Sequence, residues 1–196
     1  MKSISLEEAV VLLRQGRSVV FPTDTVYGLG LSPAYAASPE LLFRLKQRDE
    51  GKPVAWLVDG PEALGEWGAA VPDWARRLAE AHWPGALTLV VRASDRVPAS
   101  FASAQGTIGL RMPASATTLA LLEALGAPLA TTSANISGGP AVSRAADLDL
   151  RLLAEVPLLL PLDGEGGEGA PDAVASTVVD CTGDGPMVLR QGPVRL

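Results

Sequence analysis

Two of the residue types on which enzymes most often build reactive centres are nearly absent from this chain. Its 196 residues hold one cysteine, Cys181, and one histidine, His82. A lone cysteine cannot close an internal disulfide, so a reducing compartment is expected. One His and one Cys do not make a zinc site of the usual nitrogen and sulfur type. A Ser-His-Asp triad would have to recruit His82, and no Gly-x-Ser-x-Gly elbow is present to raise a nucleophile. No apolar stretch approaches the roughly 18 residues of a membrane span, and no basic-then-apolar leader opens the chain. A soluble, cytoplasmic protein is the expectation. Aromatics make up only 5% of the residues, and Trp56, Trp67 and Trp74 are too scattered to form a base-stacking platform. A net charge of −6 argues against a general nucleic-acid coat protein, whose affinity rests on neutralising phosphates.

What the chain does have is apolar content: 47% of its residues are hydrophobic, enough to bury a core without staples. Its length suits one domain spanning residues 1–196. The positive charge is concentrated. Residues 1–52 carry seven basic and six acidic side chains, whereas 53–196 carry nine and sixteen. Only three of the basic residues are lysines, and two of these, Lys46 and Lys52, flank Arg48. Ser5-Leu-Glu-Glu8 reads as a capping box ahead of a helix closed by Gly16. Further helices are expected from Ser38 to about Arg48, and over Pro72–His82, Ser115–Leu125 and Ser143–Glu155. Strands are expected over Ser18–Phe21, Val54–Val58, Leu87–Arg92, Thr107–Met112, Leu129–Thr132, Ser176–Asp180 and Met187–Arg190, with another apolar run at Val156–Leu160. The alternation favours a layered α/β domain with a mixed sheet.

Three segments carry candidate chemistry. After the apolar run at 19–21, Pro22 is followed by Thr23, Asp24, Thr25 and Tyr27, then by Gly28 and Gly30. This reads as a polar turn with backbone freedom at its glycines, placed where an open α/β sheet binds ligands. Thr131-Thr-Ser-Ala-Asn-Ile-Ser-Gly-Gly-Pro140 repeats the logic, with hydroxyls, an amide and glycines after a strand. Such a cluster can offer donors to an anion, or be only an Asx turn. Lys46-Gln-Arg48 and Lys52 can complement a helix C-terminus or clamp a phosphate or carboxylate. Gly164-Glu-Gly-Gly-Glu-Gly169 matches Gly-x-Gly-x-x-Gly in form only. A strand follows it instead of a helix, and its two glutamates would repel a pyrophosphate, so a surface loop is expected. His82 and Trp83 read as packing around a turn.

Taken in order, Pro22–Gly30, Lys46-Gln-Arg48, His82–Val90, Ile108–Pro113, Ser133-Ala-Asn135 and Ser176–Asp180 resemble the YrdC/TsaC family of threonylcarbamoyl-AMP synthases in its single-domain form. The resemblance covers nearly the whole chain. It implies a twisted, open mixed sheet flanked by helices with a concave cationic cleft. It also implies that L-threonine, bicarbonate or CO2, and ATP (with Mg²⁺) are joined into L-threonylcarbamoyl-AMP and pyrophosphate, for modification of the tRNA adenosine beside the anticodon. tRNA and the downstream threonylcarbamoyl-transfer proteins would be further partners; no membrane is implied. Carried onto this sequence, Thr25 and Arg111 would contact threonine. Lys46, Arg48, Ser133 and Asn135 would form the catalytic tetrad around the ATP phosphates, with Lys52, Ser176 and Arg190 as further nucleotide contacts. Lys52 and Leu57 stand where some relatives have Asn and His, so a threonine contact made by that His would be absent or replaced from elsewhere. The alternatives are a non-catalytic module of the same fold that binds double-stranded RNA or tRNA, and a carbamoyl-phosphate-using domain.

Overall fold

In the computed structural model, which describes residues 2–46, 54–162 and 174–196, eleven strands form one mixed sheet. Residues 47–53 and 163–173, and with them Arg48, Lys52 and the Gly164–Gly169 stretch, lie outside that description. The strands are β1 (Ser3–Ile4), β2 (Val19–Phe21), β3 (Gly28–Leu31), β4 (Ala55–Leu57), β5 (Gly68–Ala69), β6 (Leu87–Ala93), β7 (Thr107–Arg111), β8 (Leu129–Ser133), β9 (Leu158–Leu159), β10 (Thr177–Asp180) and β11 (Met187–Arg190). The helices are α1 (Leu6–Arg14), α2 (Glu40–Lys46), α3 (Ala63–Trp67), α4 (Asp73–His82), α5 (Ala116–Leu125) and α6 (Leu150–Glu155). Across the sheet the order is β1-β9-β2-β3-β8-β4-β7-β6-β10-β11, with β5 paired to β6.

Because side chains alternate along a strand, each strand contributes to both faces of the sheet. One face buries Val20, Leu29, Trp56, Leu89 and Leu110 beneath α2, α3, α4 and α6. The other face buries Val19, Phe21, Leu57, Leu129 and Leu159 beneath α1 and α5. These two helices cover the second face from β1, β9 and β2 as far as Leu129 of β8 and Leu57 of β4. Beyond Leu57 that face carries Ala55, Gly109, Thr131, Thr88 and Val90, and it opens into a cleft.

Local signals place the covering helices. Ser5 and Glu8 make the reciprocal capping box of α1, with Glu8 N–H donating to Ser5 Oγ at 3.3 Å and Ser5 N–H to Glu8 Oε2 at 2.9 Å. Ser115 caps α5, and Gly126, at φ 69°, closes it in the left-handed conformation that favours glycine. The expected Ser143–Glu155 helix is instead a 3-10 turn at Ala145–Asp147 followed by α6, whose N-terminus is capped by Asp149. Asp149 competes for the backbone as N-cap residues do, so the helix starts there.

The largest departure concerns Gly28 and Gly30. They lie in strand β3, antiparallel to both β2 and β8, and the polar turn is confined to residues 22–27. Neither has a positive φ. Their requirement for glycine is spatial. A Cβ on Gly30 would lie 2.9 Å from the Phe21 ring, 3.0 Å from Thr131 Oγ1 and 3.2 Å from the Ala130 carbonyl oxygen. Phe21 and Thr131 close over the strand from either side, and glycine lets them. Gly30→Ala is therefore expected to cost about 1–3 kcal/mol in urea unfolding, an overpacking penalty. Combined with Phe21→Leu it should cost less than the sum of the two single changes, because they share one contact. Additive costs would show that Phe21 is not the obstacle.

Candidate functional site

The uncovered part of the second face forms the floor of a cleft of about 760 Å³. Its floor residues, Ala55, Gly109, Thr131, Thr88, Val90 and Val178, are small or β-branched, so the sheet itself is accessible. Loop 22–27 forms one wall. The loop is held at its start by α5, where Thr118 Oγ1 donates to the Pro22 carbonyl at 2.6 Å and Ser115 Oγ at 3.4 Å. Tyr27 N–H donates to the Val142 carbonyl and Ala134 N–H to the Tyr27 carbonyl, which joins this wall to the segment after β8.

Arg111, the last residue of β7, is only 6% exposed. A buried guanidinium survives by hydrogen bonding and charge compensation, and two segments, the Asp24–Thr25 pair and the turn at Gly85, provide both. Nε donates to the Gly85 carbonyl at 2.9 Å, Nη1 to Thr25 Oγ1 at 2.9 Å and Nη2 to Asp24 Oδ1 at 2.6 Å. Burial lowers the affinity of Arg111 for its proton, and the adjacent Asp24 charge opposes that shift. Thr25 is itself buried, with its hydroxyl 3.1 Å from that of Thr23. Arg111 and Thr25 are thus brought together as expected for a carboxylate-binding corner. Asp24, which is not among the expected site residues, completes the corner. Gly85 reaches it through the Trp83–Ala86 turn, where Trp83 Nε1 donates to the Leu87 carbonyl and Gly85 N–H to that of Met112.

A second corner gathers Lys46, Ser133 and Asn135. Lys46 ends α2 but is only 4% exposed, and its ammonium points away from the surface. Nζ donates to the Ser133 carbonyl at 2.5 Å, to Ser133 Oγ at 3.2 Å and to Asn135 Oδ1 at 3.1 Å. The cation therefore serves the turn after β8 and does more than complement its own helix end. Asn135 is oriented by that turn, its amide nitrogen donating to the carbonyls of Ile136 and Gly139 at 3.1 and 2.7 Å. Ser133 Oγ also donates to Asn135 Oδ1. Ser137 N–H bonds the Lys46 carbonyl, tying the helix end to the same turn.

The third group lies on the far side of the cleft. Ser176 Oγ is 2.8 Å from Thr88 Oγ1, and Arg190 donates to the Ser176 carbonyl at 3.0 Å and its hydroxyl at 3.2 Å. Burial lowers the basicity of Arg190, and the positive charge of Arg111 lowers it further. The two guanidiniums therefore feel each other in one cleft, and an anion between them relieves both. Thr88, which lies in the His82–Val90 segment but was assigned no role from the sequence, joins this group.

The arrangement is built to hold anions. Cys181 is no nucleophile, since burial and the Asp180 charge push its thiol up to about 12. Among the described residues no group of three or more His, Cys, Asp or Glu converges on a metal position. No helix of the described residues is long and apolar enough to cross a membrane. Leu57 borders the cleft beside Arg111, so its side chain offers an apolar wall and no hydrogen bond there.

Known proteins share this plan. A protein of Mycobacterium leprae is 40% identical over 189 residues, covering 96% of this chain and 83% of that protein. The threonylcarbamoyl-AMP synthase of Stenotrophomonas maltophilia is 36% identical over 186 residues, covering 91% of this chain and 99% of its own. The structure of Pyrococcus abyssi Sua5 complexed with L-threonine superposes with a TM-score of 0.85 at 32% identity, over 97% of this chain and 57% of that longer one. Residues 11–192 match the family described as Sua5/YciO/YrdC, telomere recombination. Sheet order, cleft and residue pattern thus lead to one conclusion, that this chain belongs to the Sua5/YciO/YrdC family.

Proposed function

We propose that this protein is an L-threonylcarbamoyl-AMP synthase, a nucleotidyltransferase acting on L-threonine, bicarbonate or CO2, and ATP. The observation that carries the reading is the presence of two separate cation corners on one uncovered sheet face, Arg111 with Thr25 and Lys46 with Ser133 and Asn135. One suits a carboxylate and the other a phosphate chain. Relatives bearing the synthase name, and a family member binding L-threonine, support the same reading.

In this reading the threonine carboxylate meets Arg111 and the Thr25 hydroxyl. Asp24 holds the guanidinium plane in place. The threonine amine adds to CO2 and loses a proton, giving a carbamate. A carbamate oxygen then attacks the α-phosphorus of ATP, and the bond from that phosphorus to the bridging oxygen breaks. Pyrophosphate leaves with the electron pair. Charge accumulates on the departing phosphates, where the Lys46 ammonium and the Ser133 hydroxyl can compensate it without a protein nucleophile. Arg48 and Lys52 would add to this corner. Ser176 and Arg190 would hold the nucleotide from the other side. Mg²⁺ would enter with ATP and share the phosphate charge. The adenylate would then pass its threonylcarbamoyl group towards tRNA through the downstream transfer proteins, in the cytoplasm.

With Mg-ATP, bicarbonate and L-threonine, the protein should release pyrophosphate and form an adenylate of the corresponding mass. Pyrophosphate release that is indifferent to omission of threonine would contradict the reading. Lys46→Ala and Asn135→Ala should each reduce kcat about 10²-fold or more, the scale for loss of one preorganised donor to a developing anion. The KM for threonine should stay near that of the wild type; full turnover in both variants would refute the phosphate corner. Asp24→Asn leaves Arg111 buried without a compensating charge, so it should cost about 3–5 kcal/mol in unfolding experiments and raise the KM for threonine. Wild-type values for both quantities would show that the ion pair is not the support of the site.

A further inference from the structure

The handling of anions does not explain one group in the cleft. Asp180, the last residue of β10, is the single carboxylate among the described residues that line it. A phosphate placed against it would be repelled. Its Oδ1 accepts the Thr182 N–H at 2.8 Å, and among the described residues Oδ2 has no hydrogen-bond partner. Asp180 is half-buried and has no cationic partner among the described ion pairs. A carboxylate only accepts hydrogen bonds, so the substrate group that complements it must be a donor.

The sheet register places that donor. Asp180 pairs with Val90, Val90 with Gly109, Gly109 with Ala55 and Ala55 with Thr131, a row across the cleft floor. Asp180 therefore lies four strand spacings, about 19 Å, from β8 and the Lys46 corner. With phosphates at Lys46, Ser133 and Asn135, an extended nucleoside triphosphate lying along this row brings its nucleoside to the β6–β10 side. Val90 and Val178, both half-buried, provide an apolar surface there. Ribose presents two adjacent hydroxyl donors, whereas the adenine edge presents one amino group. A carboxylate with two oxygens matches the diol, as acidic residues do in dinucleotide-binding folds.

We propose that Asp180 accepts the ribose hydroxyls of the bound nucleoside triphosphate and makes the site selective for ribonucleotides. The assignment rests on reading the cleft as an ATP site. Asp180→Asn is the appropriate variant, because its amide oxygen can still accept the Thr182 N–H and keep the turn, while the acceptor at Oδ2 is lost.

The test is calorimetric titration of ATP and of 2′-deoxy-ATP, each with Mg²⁺, into wild type and Asp180→Asn without threonine. Wild type should bind ATP about tenfold or more tightly than 2′-deoxy-ATP, the scale of one hydrogen bond to a charged group. Asp180→Asn should bind ATP about tenfold more weakly and treat the two nucleotides alike, with L-threonine affinity unchanged. Equal binding of the two nucleotides by wild type, or an undiminished preference in Asp180→Asn, overturns the proposal. The wild-type comparison requires no variant to fold, and neither arm requires turnover. If wild type prefers ATP to 2′-deoxy-ATP but releases no threonine-dependent pyrophosphate, the synthase reading fails and the ribose assignment stands.

Discussion

The structure depends on keeping one guanidinium, that of Arg111, charged in the interior of a sheet. An arginine that is 6% exposed requires acceptors on several sides. They come from the loop after β2 and from the turn before β6, segments about 60 residues apart in sequence on the Gly85 carbonyl and the Asp24–Thr25 pair. Loop 22–27 must therefore cross the open face, and the α5 hydroxyls must hold its Pro22 carbonyl. The helix that covers half of the second face also positions the wall of the other half. The cleft is the remainder of that face, uncovered by any helix of the described residues.

That arrangement separates two tasks. Arg111 sits at the end of β7, flanked by Asp24, which neutralises it before any ligand arrives. Lys46 lies across the floor, held by a serine and an amide whose geometry is set by the turn after β8. One corner is a planar fork with charge compensation, and the other is a point charge among acceptors fixed by a turn. These match a carboxylate and a phosphate chain respectively. In the proposed reaction a carbamate formed between them would meet the α-phosphorus by placement, so the scarcity of histidine and cysteine would be no handicap for this chemistry.

Much of this was legible in the sequence because the signals were local. The Ser5–Glu8 capping box, the Ser115 cap and Gly126 mark helices through backbone chemistry within a few residues. The hydroxyl-rich ends at Thr25 and Ser133 follow apolar strands and could be read as ligand-facing. β3 was not legible, because Gly28 and Gly30 leave two side chains in four positions and mimic a turn. Their cause is the Phe21 ring and Thr131, the latter about 100 residues away in sequence. The partner of Asp24 was equally hidden. An ion pair between residues 24 and 111 leaves no periodicity, and neither does a backbone acceptor such as Gly85. The 143–155 region misled because its apolar spacing continues through a segment that Asp149 divides.

The division of labour between the two corners is tested most directly by the crystal structure of the protein with L-threonine and a non-hydrolysable ATP analogue. The threonine carboxylate is expected within hydrogen-bonding distance of Arg111 and Thr25, and the β- and γ-phosphates beside Lys46, Ser133 and Asn135. Phosphates on Arg111 with the amino acid at Lys46 would contradict it.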